Sequence, residues 1–341
     1  MAIETGIQYT DSTCNPTPGC LGCELYSLDP SRNHCWAATL IRRYAGRKGW
    51  PKSFTEPEYF PGRIEKAIRW ADLTGTDRPD KSWLNGLPRI IFLNDLGDTF
   101  APNAPNPETW LLPLIPAMAA SPHVWLFFTK WPKRMYEFFT AHEPPANFWG
   151  LTSVTDQKTA DARIPWLLKT PFAVRGVSAE PLLGAIDFDY ESDICHCGDY
   201  VKNHGPGSDH GAVPMIDSYL HDGLNWLVVG GESGPGARPM HPNNVRQLQN
   251  QCQQAGIPFF LKQLGAWVQV EAHRDSGFSG GQYVTRIEQG LGFGGKIAWD
   301  GHTSSQLYRF DDGMLMWRVG KHEAGRLLDG REWTEMPEVP R

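Results

Sequence analysis

No stretch of the 341-residue chain approaches the eighteen or so uninterrupted apolar residues that a membrane-spanning helix needs. The first residues, MAIETGIQYTDST, lack the basic stretch and apolar run of a secretory signal, so a cytoplasmic setting is expected. Positive charge is not in surplus: 32 Lys and Arg against 38 Asp and Glu leave a formal charge of -6. The chain as a whole therefore exerts no pull on DNA, RNA or acidic lipid, and any nucleic-acid contact needs a local basic patch. Internal repeats, heptads and low-complexity tracts are absent too, which excludes a solenoid, a long coiled coil or a compositionally biased tail.

What is present points to a globular α/β protein. Hydrophobic residues make up 40% and charged residues 21%, and the length allows one large domain of the barrel type or two ordinary ones. Six short apolar runs, RIIFLND, HVWLFFTK, NFWGLTSVT, FAVRGVSAE, NWLVVGGES and IPFFLKQ, have the β-branched and aromatic content of buried strands. Helix-compatible stretches lie between several of them, including PKRMYEFFTAH, DQKTADARIPWLLKT and HPNNVRQLQNQCQQAG, the last stopping at Gly256. This alternation predicts a partial or full parallel (β/α) barrel over residues 1–265, with an inserted Cys/His loop at 189–222. Residues 266–341, rich in glycine and aromatics, read as hairpins and loops forming a C-terminal extension packed on that core. Each apolar run ends in polar residues, and in parallel folds those ends gather at one mouth.

Seven cysteines in a reducing compartment do not suggest a disulfide framework, and four of them, Cys14, Cys20, Cys23 and Cys35, fall within 22 residues. Cys20 and Cys23 form a CxxC pair that can reach one metal centre from a tight turn. A third ligand could be Cys14, separated from Cys20 by five residues, or Cys35, separated from Cys23 by eleven and followed by Trp36 and the helix-like AATLIRRYAGR. Three thiolates on a four-iron cube would leave one iron open to another ligand. Zinc held by all four cysteines satisfies the same spacing. In the insertion, Cys195, His196, Cys197, His204 and His210 are of metal-capable types and could form a second zinc site, whereas Cys252 lies in a helical pattern and reads as packed core.

With TCNPTPGC, LGC and HCWA, the chain resembles the phage Gp37/Gp68-like proteins of the radical S-adenosylmethionine (SAM) type, a domain of unknown function of the DUF5131 kind. The segments FLNDLGDTF, FFTKWPKRM, NFWGLTSVTD, VSAEPLLG, WLVVGGESGPGARPMHP, PFFLKQLG and VGKHEAGRLLDGREW extend the resemblance over nearly the whole chain. Anchoring on Asn15-Pro16 places Cys20, Cys23 and Cys35 on the three cysteines of that family and Cys14 where it has Trp, although the short gap comes first here. The resemblance implies a 4Fe-4S cluster on Cys20, Cys23 and Cys35, with SAM on the open iron. Reductive cleavage of SAM would then yield a 5′-deoxyadenosyl radical that abstracts a substrate hydrogen. It further implies a reductant such as a flavodoxin or ferredoxin, and a phage setting in the host cytoplasm. DNA or a modified nucleotide becomes the candidate substrate, with rearrangement of a thymine-derived base as an isomerase-type reaction.

By strand order, Asn94, Asp95 and Asp98 stand where similar enzymes receive the methionyl ammonium. Ser153, Thr155 and Glu180 could meet the ribose or the substrate. The GGES stretch, Gly230, Gly231, Glu232 and Ser233, follows a late strand rather than an early one, so it is assigned to SAM or substrate contact. Lys130, Glu180 and Lys262 are the candidate catalytic residues, and Arg238 and Gln263 are further binding candidates at strand ends. The competing function is that of a non-catalytic four-cysteine zinc protein or nucleic-acid-binding module.

Overall fold

All six expected strands form, and a short seventh precedes them. In the computed structural model, which describes residues 1–195, 212–274, 282–286, 292–297 and 307–340, the chain alternates strand and helix. Strand β1 (Ser12–Cys14) is followed by α1 (Trp36–Tyr44), α2 (Arg63–Ile68) and β2 (Ile90–Leu93). Next come α3 (Pro107–Trp110), α4 (Ile115–Ala119), β3 (Val124–Thr129), α5 (Pro132–Ala141), β4 (Phe148–Val154), α6 (Gln157–Lys169) and β5 (Val174–Ala179). The hairpin β6 (Asp189–Cys195) and β7 (Ala212–Ser218) leads to β8 (Trp226–Gly230), α7 (Pro242–Ala255) and β9 (Phe259–Gln263).

These strands make a seven-stranded sheet in the order β1-β2-β3-β4-β5-β8-β9, parallel throughout and curled as a half-barrel. Among the described residues β1 and β9 do not pair, so the barrel is partial. Strand β1 had no apolar run to betray it, because its centre is the polar pair Ser12-Thr13, both buried. The insertion is carried by the antiparallel hairpin β6–β7. Of the zinc ligands expected there, Cys195 ends β6, while His196, Cys197, His204 and His210 lie outside the described residues.

The pleat divides each strand between two cores. Alternate residues Ile91, Leu93, Trp125, Phe127, Leu227 and Val229 point outward under the helices, where Met135, Ile164 and Val245 cover them. Their neighbours Ile90, Leu126, Trp149, Leu151, Trp226, Val228 and Phe260 point inward and fill the half-barrel. Cys252, fully buried in α7, belongs to the outer core, as expected from its helical pattern.

Both sheet edges are covered, as an exposed parallel edge would otherwise invite pairing with another chain. Ala2 bridges Thr13 on β1, and residues 333–335 return along β9, with Leu261 donating to the Trp333 carbonyl and Glu335 donating to that of Phe259. Before that return the chain forms a five-stranded antiparallel sheet that includes β10 (Trp267–Arg274), β11 (Gln282–Arg286), β12 (Gly292–Ile297), β13 (Leu307–Arg309) and β14 (Leu315–Arg318). The one-turn helix α8 (Lys321–Ala324) follows it. Arg326 then lies 4.2 Å over the Trp83 ring and so ties the C-terminal segment to the N-terminal part of the chain. No helix among the described residues is long and apolar enough to cross a membrane.

A buried ion pair anchors the N-terminal segment. Asp11 accepts from Arg78 Nε at 2.9 Å and from the Ile90 amide at 2.8 Å, and Arg78 also donates to the carbonyls of Leu87 and Pro88. Removing the carboxylate leaves a buried guanidinium without its counter-charge. Asp11→Ala is expected to cost about 3 kcal/mol of stability, read as a lower urea midpoint; an unchanged midpoint would contradict the role given to this pair.

Candidate functional site

After β1 the chain continues beside the exit of β2 and is stitched to it. The Asn94 amide donates to the Cys14 carbonyl at 2.7 Å, the Gly19 amide to that of Leu96 at 2.9 Å, and Gly19 bridges Gly97 in parallel. The Asn15 side chain completes the seam, donating to Asp95 Oδ1 at 2.5 Å and accepting from the Leu96 amide at 2.8 Å. Gly97 is required by close approach, since a Cβ there would come within 2.6 Å of the Thr17 carbonyl oxygen. Asn94 adopts a left-handed conformation with φ of 60°, which asparagine tolerates. Its side chain turns back to Thr17 Oγ1 at 2.7 Å and Thr99 Oγ1 at 2.8 Å.

The seam delivers Cys20 and Cys23 to the mouth of the half-barrel, and Cys35 arrives as the N-cap of α1. Cys35 Sγ accepts from the Ala38 amide, and Cys20 Sγ from the Gly22 amide, each at 3.4 Å. Burial pushes the Cys20 thiol up to about 12 and also raises Cys23 and Cys35; Cys23 adds to the rise at both neighbours, and Lys130 opposes it at all three. For Lys130 itself, burial lowers the ammonium, but Cys23, Glu24, Asp98 and Cys35 outweigh that and hold it above its ordinary value. The three thiols and one lysine are thus one electrostatic group.

Cys14 is not part of it. Its side chain is fully buried in the outer core with Ile91 and Leu93, and burial raises its thiol to about 12 with the N-terminus, Arg63, Asp95 and Glu65 as its charged neighbours. Among the described residues no three His, Cys, Asp or Glu side chains converge closely enough to hold a single metal ion.

Two clasps hold the cysteine loop over the sheet. From α6, Arg163 grips Glu24 with bonds of 2.9 and 2.8 Å and the Ser153 carbonyl at 2.7 Å. Burial raises the Glu24 carboxyl, yet Arg163 brings it below its ordinary range. On the other side His34 Nδ1 lies 3.5 Å from Glu232 Oε2, and Glu232 accepts from the Arg238 amide at 2.8 Å and Nε at 2.9 Å.

Beneath the loop opens a cavity of about 480 Å³. The inward parity of the strands, continued one residue past the ends of β3 and β5, supplies part of its wall. Phe92 follows Ile90, Lys130 follows Phe128, Ser153 follows Leu151, Glu180 follows Ser178, and Lys262 follows Phe260. Phe92 and Phe128 stack with centroids 4.3 Å apart, and Tyr9 stacks on Phe128 at 5.9 Å, giving an aromatic floor. Lys262 Nζ lies 2.6 Å from Glu180 Oε1 and 5.8 Å from the Tyr9 ring centroid. Burial, then the Glu180 and Asp95 carboxylates, push the Tyr9 phenol well above its ordinary value.

Of the residues singled out from sequence, Cys23, Cys35, Lys130, Glu180, Lys262, Asp95, Ser153, Gly231, Glu232, Ser233 and Gln263 share this cavity. Cys20 stands behind it in a cluster with Phe54 and Leu96. Asn94, Asp98, Thr155 and Gly230 do not line it. Asp98 is saturated by the Thr129 hydroxyl at 2.8 Å and the amides of Lys130 and Phe100 at 2.8 and 3.0 Å, and burial raises its carboxyl. Thr155 offers its carbonyl to the amides of Leu183 and Gly184. Gly230 makes room for Glu180, whose Cδ would lie 3.1 Å from an added Cβ. Arg238 acts on the wall through Glu232. Tyr9, His34 and Lys321 also line the cavity and were not foreseen: no local pattern marks them, and they come from opposite ends of the chain.

Asp95, whose carboxyl burial raises, depends on Asn15 for a donor. Asn15→Ala should cost about 2 kcal/mol, and Asn15→Asp more at neutral pH because two carboxylates would then face each other. The excess penalty of the Asp variant should shrink as pH falls and one of the pair takes a proton. Urea midpoints of the two variants across pH measure this, and equal midpoints at neutral pH would contradict it.

No curated protein and no solved structure matches this chain. Residues 4–337 match the family described as "Protein of unknown function (DUF5131)", and the chain belongs to that family.

Proposed function

We propose that the protein is a radical SAM enzyme, with a 4Fe-4S cluster on Cys20, Cys23 and Cys35 and SAM in the adjoining cavity. The observation that carries this reading is the meeting of three thiols and a lysine at the C-terminal mouth of a parallel half-barrel, the face on which such sheets assemble their sites. The donor set suits the group. Thiolates are its usual ligands, the Gly22 and Ala38 amides hydrogen-bond two of the sulfurs, and Lys130 offsets their negative charge. A single zinc ion needs its sulfurs about 2.3 Å from one point, whereas a cluster takes each thiolate on a different iron. Burial of Cys14 also deprives the zinc alternative of its fourth thiolate.

When bound, the cluster and SAM supply one-electron cleavage of a sulfonium and a carbon radical able to take a hydrogen atom from a substrate. The protein's own residues bind, orient and shield. Asp95 and the backbone of Gly231 to Ser233 border the cavity and can partner the polar groups of a nucleoside cofactor, and the cavity volume falls within the ordinary range of small-molecule sites. The floor of Phe92, Phe128 and Tyr9 offers an apolar aromatic surface to a heterocycle, which suits a modified base as substrate. Glu180 and Lys262, paired across that floor, can hold a charged substituent of the substrate or relay a proton between it and solvent.

Anaerobically purified protein is expected to be brown, to carry about four irons and to release 5′-deoxyadenosine from SAM on reduction with dithionite. Cys20→Ala, Cys23→Ala and Cys35→Ala should each lose the iron, and Cys14→Ala should keep it. Colourless protein with stoichiometric zinc would refute the reading.

A further inference from the structure

The C-terminal segment brings a further lysine to the Glu180 side of the cavity. Helix α8 is clamped to the chain just after β9: the Gly320 amide donates to the Ala266 carbonyl at 3.0 Å, the Leu264 amide donates to that of Gly325 at 3.0 Å, and Ala324 is buried with Val268 and Val270. This sets Lys321, the first residue of α8, in the cavity wall with Lys262 and Glu180. Burial lowers the Lys321 ammonium, its neighbour Lys262 lowers it further, and Glu180 opposes them. Other charges of the wall have counterparts: Lys262 pairs with Glu180 at 2.6 Å, Glu232 is held by Arg238, Lys130 is offset by the thiols and Asp98, and Asp95 accepts from Asn15. Among the described residues no carboxylate forms an ion pair with Lys321, so two lysines share one carboxylate. The charges acting chiefly on the three thiols include Lys130 but neither Lys262 nor Lys321, which therefore belong to another part of the wall. Gln263, next to Lys262 and 7% exposed, donates from Nε2 to the Gly231 carbonyl at 3.1 Å, while its Oε1 is buried with no hydrogen-bond partner among the described residues.

We propose that Lys321 and Lys262 form an anion subsite in this cavity, which holds a carboxylate or phosphate group of the substrate and makes Lys321 a specificity-determining residue. Its place in substrate binding rests on the reading of the cavity given above. Two ammonium groups facing one carboxylate leave one positive charge over, and partial burial makes that surplus costly until an anion arrives. A bound anion restores the balance, two positive charges to two negative ones. The Gln263 oxygen points to the same occupant, because a buried acceptor without a donor costs free energy that an N–H or O–H on the ligand recovers. The aromatic floor of Phe92 and Phe128 is left for a ring. The subsite thus selects a small molecule that joins an anionic group to a ring bearing a polar hydrogen. A neutral nucleoside or free base lacks the anion.

The test titrates the anaerobically purified full-length protein by calorimetry with two matched pairs of probes, thymidine 5′-monophosphate against thymidine and orotate against uracil. The members of each pair differ by one anionic group. Wild type is expected to favour the anionic member of at least one pair by about tenfold, and the pair that shows it tells a phosphate from a carboxylate. Lys321→Met, which keeps the aliphatic stem, should lose that preference, and Lys321→Arg, which keeps the charge, should retain it, both with the wild-type urea midpoint. No anionic preference in wild type, or an equal preference in Lys321→Met, would overturn the subsite. A Lys321→Met protein that kept the preference but lost affinity for a single-stranded thymidine oligonucleotide would assign the lysine to a nucleic-acid backbone and overturn it too. Failure of the wild type to cleave SAM with dithionite would instead refute the radical reading, and the matched titrations would still decide the subsite.

Discussion

The pleat of a parallel strand is the constraint from which the architecture follows. Each central strand is covered on both faces, so its apolar residues alternate between a helix-covered outer core and an aromatic inner core. That alternation runs to the ends of the strands and, at β5, one residue beyond. It is why Ser153, Glu180 and Lys262 enter one cavity, although the spacing between them in sequence is irregular. A shift of one residue in any of these strands would send its terminal side chain under the helices and bring an apolar one into the mouth.

A second layer of organisation sets the cysteine loop on that mouth. The seam of Asn15, Asn94 and Gly97 extends the β1–β2 pairing into irregular chain, satisfying backbone groups that a loop in this position would otherwise bury unpaired. The clasps Glu24–Arg163 and His34–Glu232–Arg238 then fix the loop from two sides. Asn94 and Asp98 belong to this framework, which explains why acidic and amide residues at a strand end need not face the cavity. The GGES stretch has both roles, with Glu232 held by Arg238 while its backbone and Ser233 border the cavity.

Much of the frame was legible from local pattern. The six apolar runs became β2, β3, β4, β5, β8 and β9, and three of the helical stretches became α5, α6 and α7. α7 ends at the left-handed Gly256, as the glycine after its pattern suggests. Strand β1 was not legible, because three residues with a polar centre carry no periodicity. The insertion proved to contain a hairpin, which long-range pairing of β6 with β7 decides. Tyr9 and Lys321 reach the cavity from segments separated by most of the chain, a proximity that no window of sequence contains.

The amino-acid sequence by itself determined the membership of the core, the polar mouth and the presence of a thiol-rich loop, since these depend on composition and on periods of two and 3.6 residues. Its cysteines remained a contest. Tertiary structure separates them by packing, without showing a ligand set: Cys14 sits on β1 with its side chain in the dry outer core, while Cys20, Cys23 and Cys35 share the neighbourhood of Lys130. Spacing counts residues along the chain, but ligation depends on which face of the sheet a thiol meets, and only folding assigns that face.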